Sequence, residues 1–252
     1  MPVHLRFLLP LAVLASGFPL GFIAPQGVAI GILFIALVLV GERYLPRPIW
    51  WSLSLSASVA LAAHLLPGFS PWPLTAPRPF SPDAPPYAVR LGWDKLLVGL
   101  TLLAWWLGQP KPHSGNLRLG YGAMTTTLLA VPLLALALGL VSWQPKWPDE
   151  LPVWLAVNLG VTVLTEELLF RAWLQRSLIA RFGEWPGLLL GGVLFGAVHL
   201  PFSPPFALVA GVAGLGYGLA FHATGRLSVT VLLHGAVNLS HLLLLSYPLR
   251  LA

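Results

Sequence analysis

Apolar runs follow one another along almost the whole chain, near residues 5–23, 27–42, 49–67, 93–108, 121–143, 152–174, 187–200, 206–222 and 228–247. In hydrocarbon every backbone N–H and C=O must be paired inside the protein, so runs of this kind fold as helices packed side by side. A spanning helix needs about 20 mainly apolar residues. The second, fourth and seventh runs are short by that measure, which leaves eight or nine spans. Only 9% of the 252 residues are charged and 57% are hydrophobic, whereas a soluble domain carries about 25% charged residues. There is too little polar surface to coat a globule. The expected fold is all-α, a polytopic transmembrane helical bundle.

Residues 67–86, PGFSPWPLTAPRPFSPDAPP, cannot hold a regular helix and read as an extramembrane loop. The expected organisation is residues 1–150 as N-terminal helices containing that loop, and residues 151–247 as a core that carries every candidate catalytic group. The first run starts beside Arg6 and ends its small-residue stretch at Ala15-Ser16-Gly17, as a signal peptide does. Pro10 and Pro19 interrupt it and a second run follows at once, so it reads as a retained span. With the N-terminus inside, inner segments hold Arg6, Arg43, Arg47, Lys111, Arg118, Arg176, Arg181 and Arg226, and outer ones hold Arg78, Arg90, Lys146 and Arg250. That bias favours the N-in orientation. The net charge of +6 is then a topology signal, and no nucleic-acid partner is expected. Tryptophans flanking the runs (Trp50, Trp51, Trp93, Trp143, Trp147, Trp154) fit a headgroup belt in a lipid bilayer. The absence of cysteine excludes disulfides, thiolate metal sites and cysteine nucleophiles.

Within the sixth run lie Glu166 and Glu167, with Arg171 a turn further on. A carboxylate near the bilayer centre costs several kcal/mol unless it is paired or lines a wet cavity, and it is read first as functional. Glu167 and Arg171 share a helix face at i, i+4 and can pair. Glu166 is rotated about 100° from Glu167. This suggests a structural Glu167–Arg171 pair with Glu166 directed into a site; the bland reading puts both glutamates in one Arg-centred structural network. His199 closes a helix before Pro201, one turn after Phe195. His234 and Asn238 again share a face, either as interhelical hydrogen-bonding glue or as holders of a water or carbonyl oxygen.

Counted at helix rise from the presumed inner ends, Glu166 lies roughly 12 Å deep, His199 roughly 18 Å, His234 roughly 9 Å and Asn238 roughly 15 Å. Asn158 is a candidate support for Glu166. His64, His222 and His241 read as packing or interface residues, and His4 and His113 as solvent-exposed. Gly187/Gly191, Gly192/Gly196 and Gly214/Gly218 have the spacing that lets helices approach. Gly216-Tyr217-Gly218 superficially resembles a potassium filter, without the preceding Thr-Val. No HExxH, GxSxG or P-loop pattern is present.

Glu166-Glu167-x-x-x-Arg171, Phe195-x-x-x-His199 and His234-x-x-x-Asn238, in this order on successive helices, resemble the CPBP family. These are the CAAX- and bacteriocin-processing intramembrane proteases of glutamic type. The segment AFHATGRLSVTVLLHGAVN is similar to that family's approach to its last motif, and the resemblance covers about residues 150–245. It implies packed transmembrane helices around a partly wet cavity, and hydrolysis of a peptide bond near the C-terminus of a membrane-associated protein or peptide. By the same resemblance Glu166, His199, His234 and Asn238 are the catalytic residues, and Glu167, Arg171 and Phe195 support them. Glu166 would activate water with His199, while His234 and Asn238 steady the oxyanion or the water. No cofactor is implied. Zinc on one Glu and two His is the chemical alternative, but Asn is a poor zinc ligand and no short-spaced ligand pair anchors a metal.

Two other functions compete. A proton-coupled transporter would use Glu166 as a relay and predicts internal repeats, which the sequence does not display. A non-catalytic immunity or scaffold protein needs none of the matched polar positions, yet all are intact. Short loops and the lack of targeting extensions point to a bacterial inner membrane, where a peptide or sorting-tail substrate is expected rather than a prenylated one.

Overall fold

The structure, a computed structural model, describes residues 3–110 and 115–251. Lys111, His113 and the His4 side chain lie outside the described residues. Nine helices form among those described: α1 Val3–Gly17, α2 Pro25–Leu39, α3 Arg47–Ala62, α4 Trp93–Trp106, α5 Leu117–Ala137, α6 Leu151–Phe182, α7 Glu184–Ala197, α8 Pro204–Thr224 and α9 Leu227–Leu244. The fold is therefore mostly helical, as the apolar runs predict.

Local chemistry sets the ends. Proline at the first helical positions starts α2, α3 and α8, where its missing N–H costs nothing. The Asn116 and Ser203 side chains cap α5 and α8, accepting the N–H of Leu119 and Phe206 at 3.2 Å each. Gly183, at φ 88°, turns the chain between α6 and α7.

Four helices are long and apolar enough to cross a membrane: α5 with 21 residues, α6 with 32, α8 with 21 and α9 with 18. α1 and α2 are apolar but have 15 residues each, about 22 Å of rise against a hydrocarbon core of about 30 Å. α3 and α7 are 16 and 14 residues long, and α4 also 14. The expected eight or nine spans correspond to nine helices, four of which meet the length for a full crossing.

The chain divides into two compact units that do not follow chain order. The first holds α1–α4 and residues 156–169 of α6. Its centre is α4, packed by α1, α2, α3 and that stretch of α6. Leu97, Val98, Leu102 and Ala104 of α4 are fully buried. In the same unit the Pro-rich segment begins with a two-residue antiparallel pairing of Trp72–Pro73 with Arg90–Leu91.

The second unit holds residues 75–89, α5, the two ends of α6, α7–α9 and the C-terminal segment. α8 packs there against α5, α7 and α9. The glycine spacings act as expected. A Cβ on Gly196 would come within 2.7 Å of the Ala207 carbonyl oxygen, and one on Gly214 within 2.9 Å of Phe195 Cβ. Close approach of α7 and α8 thus fixes where Phe195 sits.

Candidate active site

The two candidate glutamates belong to the first unit. Glu166 and Glu167 occupy a short α-helical stretch, Leu164–Glu167, between two π-helical ones, Asn158–Val163 and Leu168–Gln175. Such π turns recur at functional sites, and their i→i+5 bonding re-phases every side chain that follows. Glu167 and Arg171 are each fully buried, and Asn158 is half-buried.

Glu166 differs from its neighbour in two respects. Its side chain keeps 16% exposure, and its Oε1 accepts a hydrogen bond from Lys95 Nζ at 2.8 Å. The expectation of a carboxylate directed alone into a site is thus modified, because a lysine from α4 is bonded to it. α4 comes close enough because position 99 is glycine: any side chain there would run into the Thr165 hydroxyl. That hydroxyl in turn donates to the Lys95 carbonyl at 3.1 Å. Asp94, 3% exposed, accepts the Lys95 N–H at 2.8 Å and bonds His64 Nδ1 at 2.8 Å. His64 therefore has an acidic partner that its sequence neighbours do not provide.

The histidines belong to the second unit. His199 follows α7 in a turn, and its Nδ1 donates to the Phe195 carbonyl at 2.7 Å. With the proton on Nδ1, a neutral ring presents Nε2 as the acceptor. His234 is buried on α9, stacked on Tyr217 at 4.5 Å and 19° and edge-on to Phe195 at 5.9 Å. The Arg171 guanidinium lies over the Phe195 and Tyr217 rings, 5.0 and 5.9 Å from their centroids. Gln175, one π turn on, donates to the Gly218 carbonyl at 3.0 Å and pins this end of α6 to α8. An aromatic layer thus has a cation on one of its contacts and the histidines on others.

His199, His234, Asn238, Phe195 and Tyr217 line one cavity of about 100 Å³. A site needs roughly 10–15 Å³ on this measure to hold one water, so several fit. His199 Nε2 as acceptor, Asn238 as donor or acceptor and apolar walls from Val131, Val209 and Ala213 suit a polarised carbonyl and a water molecule.

Lys95 has no expected role in the sequence, although a lysine inside an apolar run is a signal of the same kind as the glutamates, and Tyr217 is met there only within a filter-like tripeptide. Of the histidines read as packing residues, His241 also lines the cavity and bonds the Ser246 carbonyl at 2.9 Å, and His222 pairs with Glu184 at 2.7 Å. Among the described residues, no group of three or more His, Asp or Glu is arranged to hold a metal ion.

Residues 148–240 match the family model described as Type II CAAX prenyl endopeptidase Rce1-like. The matched segment contains every residue that carries the CPBP resemblance, and for that segment the resemblance holds. Lys95 lies outside it. No curated protein and no solved structure matches the chain.

Proposed function

We propose that this chain, whose residues 148–240 carry the CAAX-endopeptidase-like segment, is an intramembrane endopeptidase that cleaves near the C-terminus of a membrane-associated protein or peptide with a glutamate-activated water. The observation that carries the reading is the cavity where His199, its Nδ1 committed to the Phe195 carbonyl, sits with His234 and Asn238. A histidine fixed in one tautomer beside a cavity large enough for water is equipped to share a proton.

In this reading Glu166 is the general base. It takes a proton from the attacking water while His199 Nε2 orients that water. As the tetrahedral intermediate forms, charge builds on the former carbonyl oxygen, and Asn238 and His234 donate to it. The protonated base then returns the proton to the leaving amine. No metal enters this scheme. Peptide or sorting-tail substrates in a bacterial inner membrane are its natural setting, with the prenylated substrates named by the family model as the other class.

The test uses purified protein in detergent and a fluorogenic peptide library, with and without chelator. Glu166→Ala and His199→Ala are each expected to lose about 10²–10⁴-fold in rate, with the double variant no slower than the worse single one. Multiplying losses would mean that the two residues do not act as a unit. Chelator-sensitive cleavage would convert the site to a metal site. Transport of protons without cleavage would sink the protease reading.

A further inference from the structure

We propose that Lys95 is the positioning residue for Glu166, a role resting on the reading of Glu166 as the base. Lys95 Nζ lies 2.8 Å from Glu166 Oε1, close enough to hold the carboxylate in one orientation. A base must be held in near-attack geometry, and a misplacement of about 1 Å costs on the order of 100-fold.

Three observations make this more than a latch between helices. First, α4 and α6 are already held together by the Gly99–Thr165 contact and the Thr165–Lys95 hydrogen bond, so their approach does not need the ion pair. Second, the pair is not sealed in the core: the Lys95 and Glu166 side chains keep 19% and 16% exposure, whereas neighbouring Glu167 has none. A latch belongs where Glu167 is; a group that a water molecule must reach belongs where Glu166 is. Third, the lysine is fixed at its root, because Asp94 accepts its N–H and Thr165 donates to its carbonyl. Asp94 is itself steadied by His64 Nδ1.

On the elements that meet here, α4 carries Asp94 beside Lys95, α6 carries Glu167 beside Glu166, and His64 lies just beyond the end of α3. Arg6 of α1 lies against Gly108, beyond the other end of α4, and α2 carries no charge. Lys95 donates a hydrogen bond to the Glu166 carboxylate.

The experiment compares kcat and KM for the parent, Lys95→Met, Lys95→Arg and Glu166→Gln on one fluorogenic peptide, using the monodisperse fraction of each. Lys95→Met is expected to lower kcat about 30–100-fold with KM within about twofold, as fits loss of orientation rather than of binding. Lys95→Arg, which restores the cation, is expected within about threefold of the parent. If Lys95→Met yields no monodisperse protein, Lys95→Gln takes its place with the same expectation. A neutral variant within threefold of the parent, or an Arg variant as impaired as the neutral one, overturns the proposal. Full activity in Glu166→Gln would instead remove the base reading itself, so the two failures are separable.

Discussion

Arg171 and Tyr217 show what a residue contributes when it touches the working groups without being one of them. Arg171 lays a flat, delocalised cation over the faces of Phe195 and Tyr217, and Tyr217 in turn stacks on His234. A lysine keeps the charge but not the plane. Arg171→Lys is therefore expected to destabilise the protein by about 1–2 kcal/mol, seen as a lower unfolding midpoint in detergent, and an unchanged midpoint would discount the stacking. Tyr217→Leu preserves bulk and removes the stacked ring. It is expected to lower kcat up to about tenfold while leaving the folded yield intact, in line with aromatic pair energies of about 0.5–1.5 kcal/mol. The partners of Tyr217 and Lys95 are not legible in the sequence for a plain reason. Helical spacing rules relate residues within a turn or two, and Lys95 meets a carboxylate 71 positions away. Phe195 and His199, like His234 and Asn238, are four residues apart, a spacing that the sequence shows directly.

Among the elements, ends and breaks could be read from proline, glycine and capping side chains, whereas the π stretches of α6 could not. Nothing in NLGVTV or LLFRAWLQ announces an i→i+5 turn. The approach of α4 to α6 is also an element-scale property, set by Gly99 against Thr165. Gly99→Val pushes the two helices apart and is expected to abolish cleavage with a modest fall in stability; activity equal to the parent would show that the Lys95–Glu166 geometry survives without the contact.

A second contact at this scale ties the Pro-rich segment to the C-terminal one. Asp83 accepts hydrogen bonds from the hydroxyls of Ser142 and Ser246, the latter at 2.7 Å. These hydroxyls, Ser142 first, hold its carboxyl below its ordinary value of 3.8. A carboxyl depressed on folding adds stability that is complete above the unfolded value and is lost as pH falls through the folded one. Asp83→Asn should therefore lower the unfolding midpoint at pH 7, with the gap from the parent closing as pH falls below the ordinary carboxyl value of 3.8. A gap of constant size across that range would assign the effect to packing.

At the scale of the whole molecule, the nine helices among the described residues are of unequal length and meet one bilayer. Four have the length to cross, and the others stop at 14–16 residues. Short helices still cross when the bilayer thins locally or flanking groups reach to the interface, at fractions of a kcal/mol per Å. Charge asymmetry then decides sidedness, and the N-in arrangement places the α2–α3 connection inside and the Pro-rich segment outside. The chain makes this testable because it has no cysteine of its own. Tyr44, 80% exposed in the α2–α3 connection, and Pro86, exposed in the Pro-rich segment, are suitable single-cysteine sites. In intact cells a membrane-impermeant maleimide is expected to label Pro86→Cys and to label Tyr44→Cys only after permeabilisation. The reverse pattern would give the opposite orientation. Labelling of both from outside would mean that α3 does not cross, so the helices below full length would have to lie within the protein or along the interface.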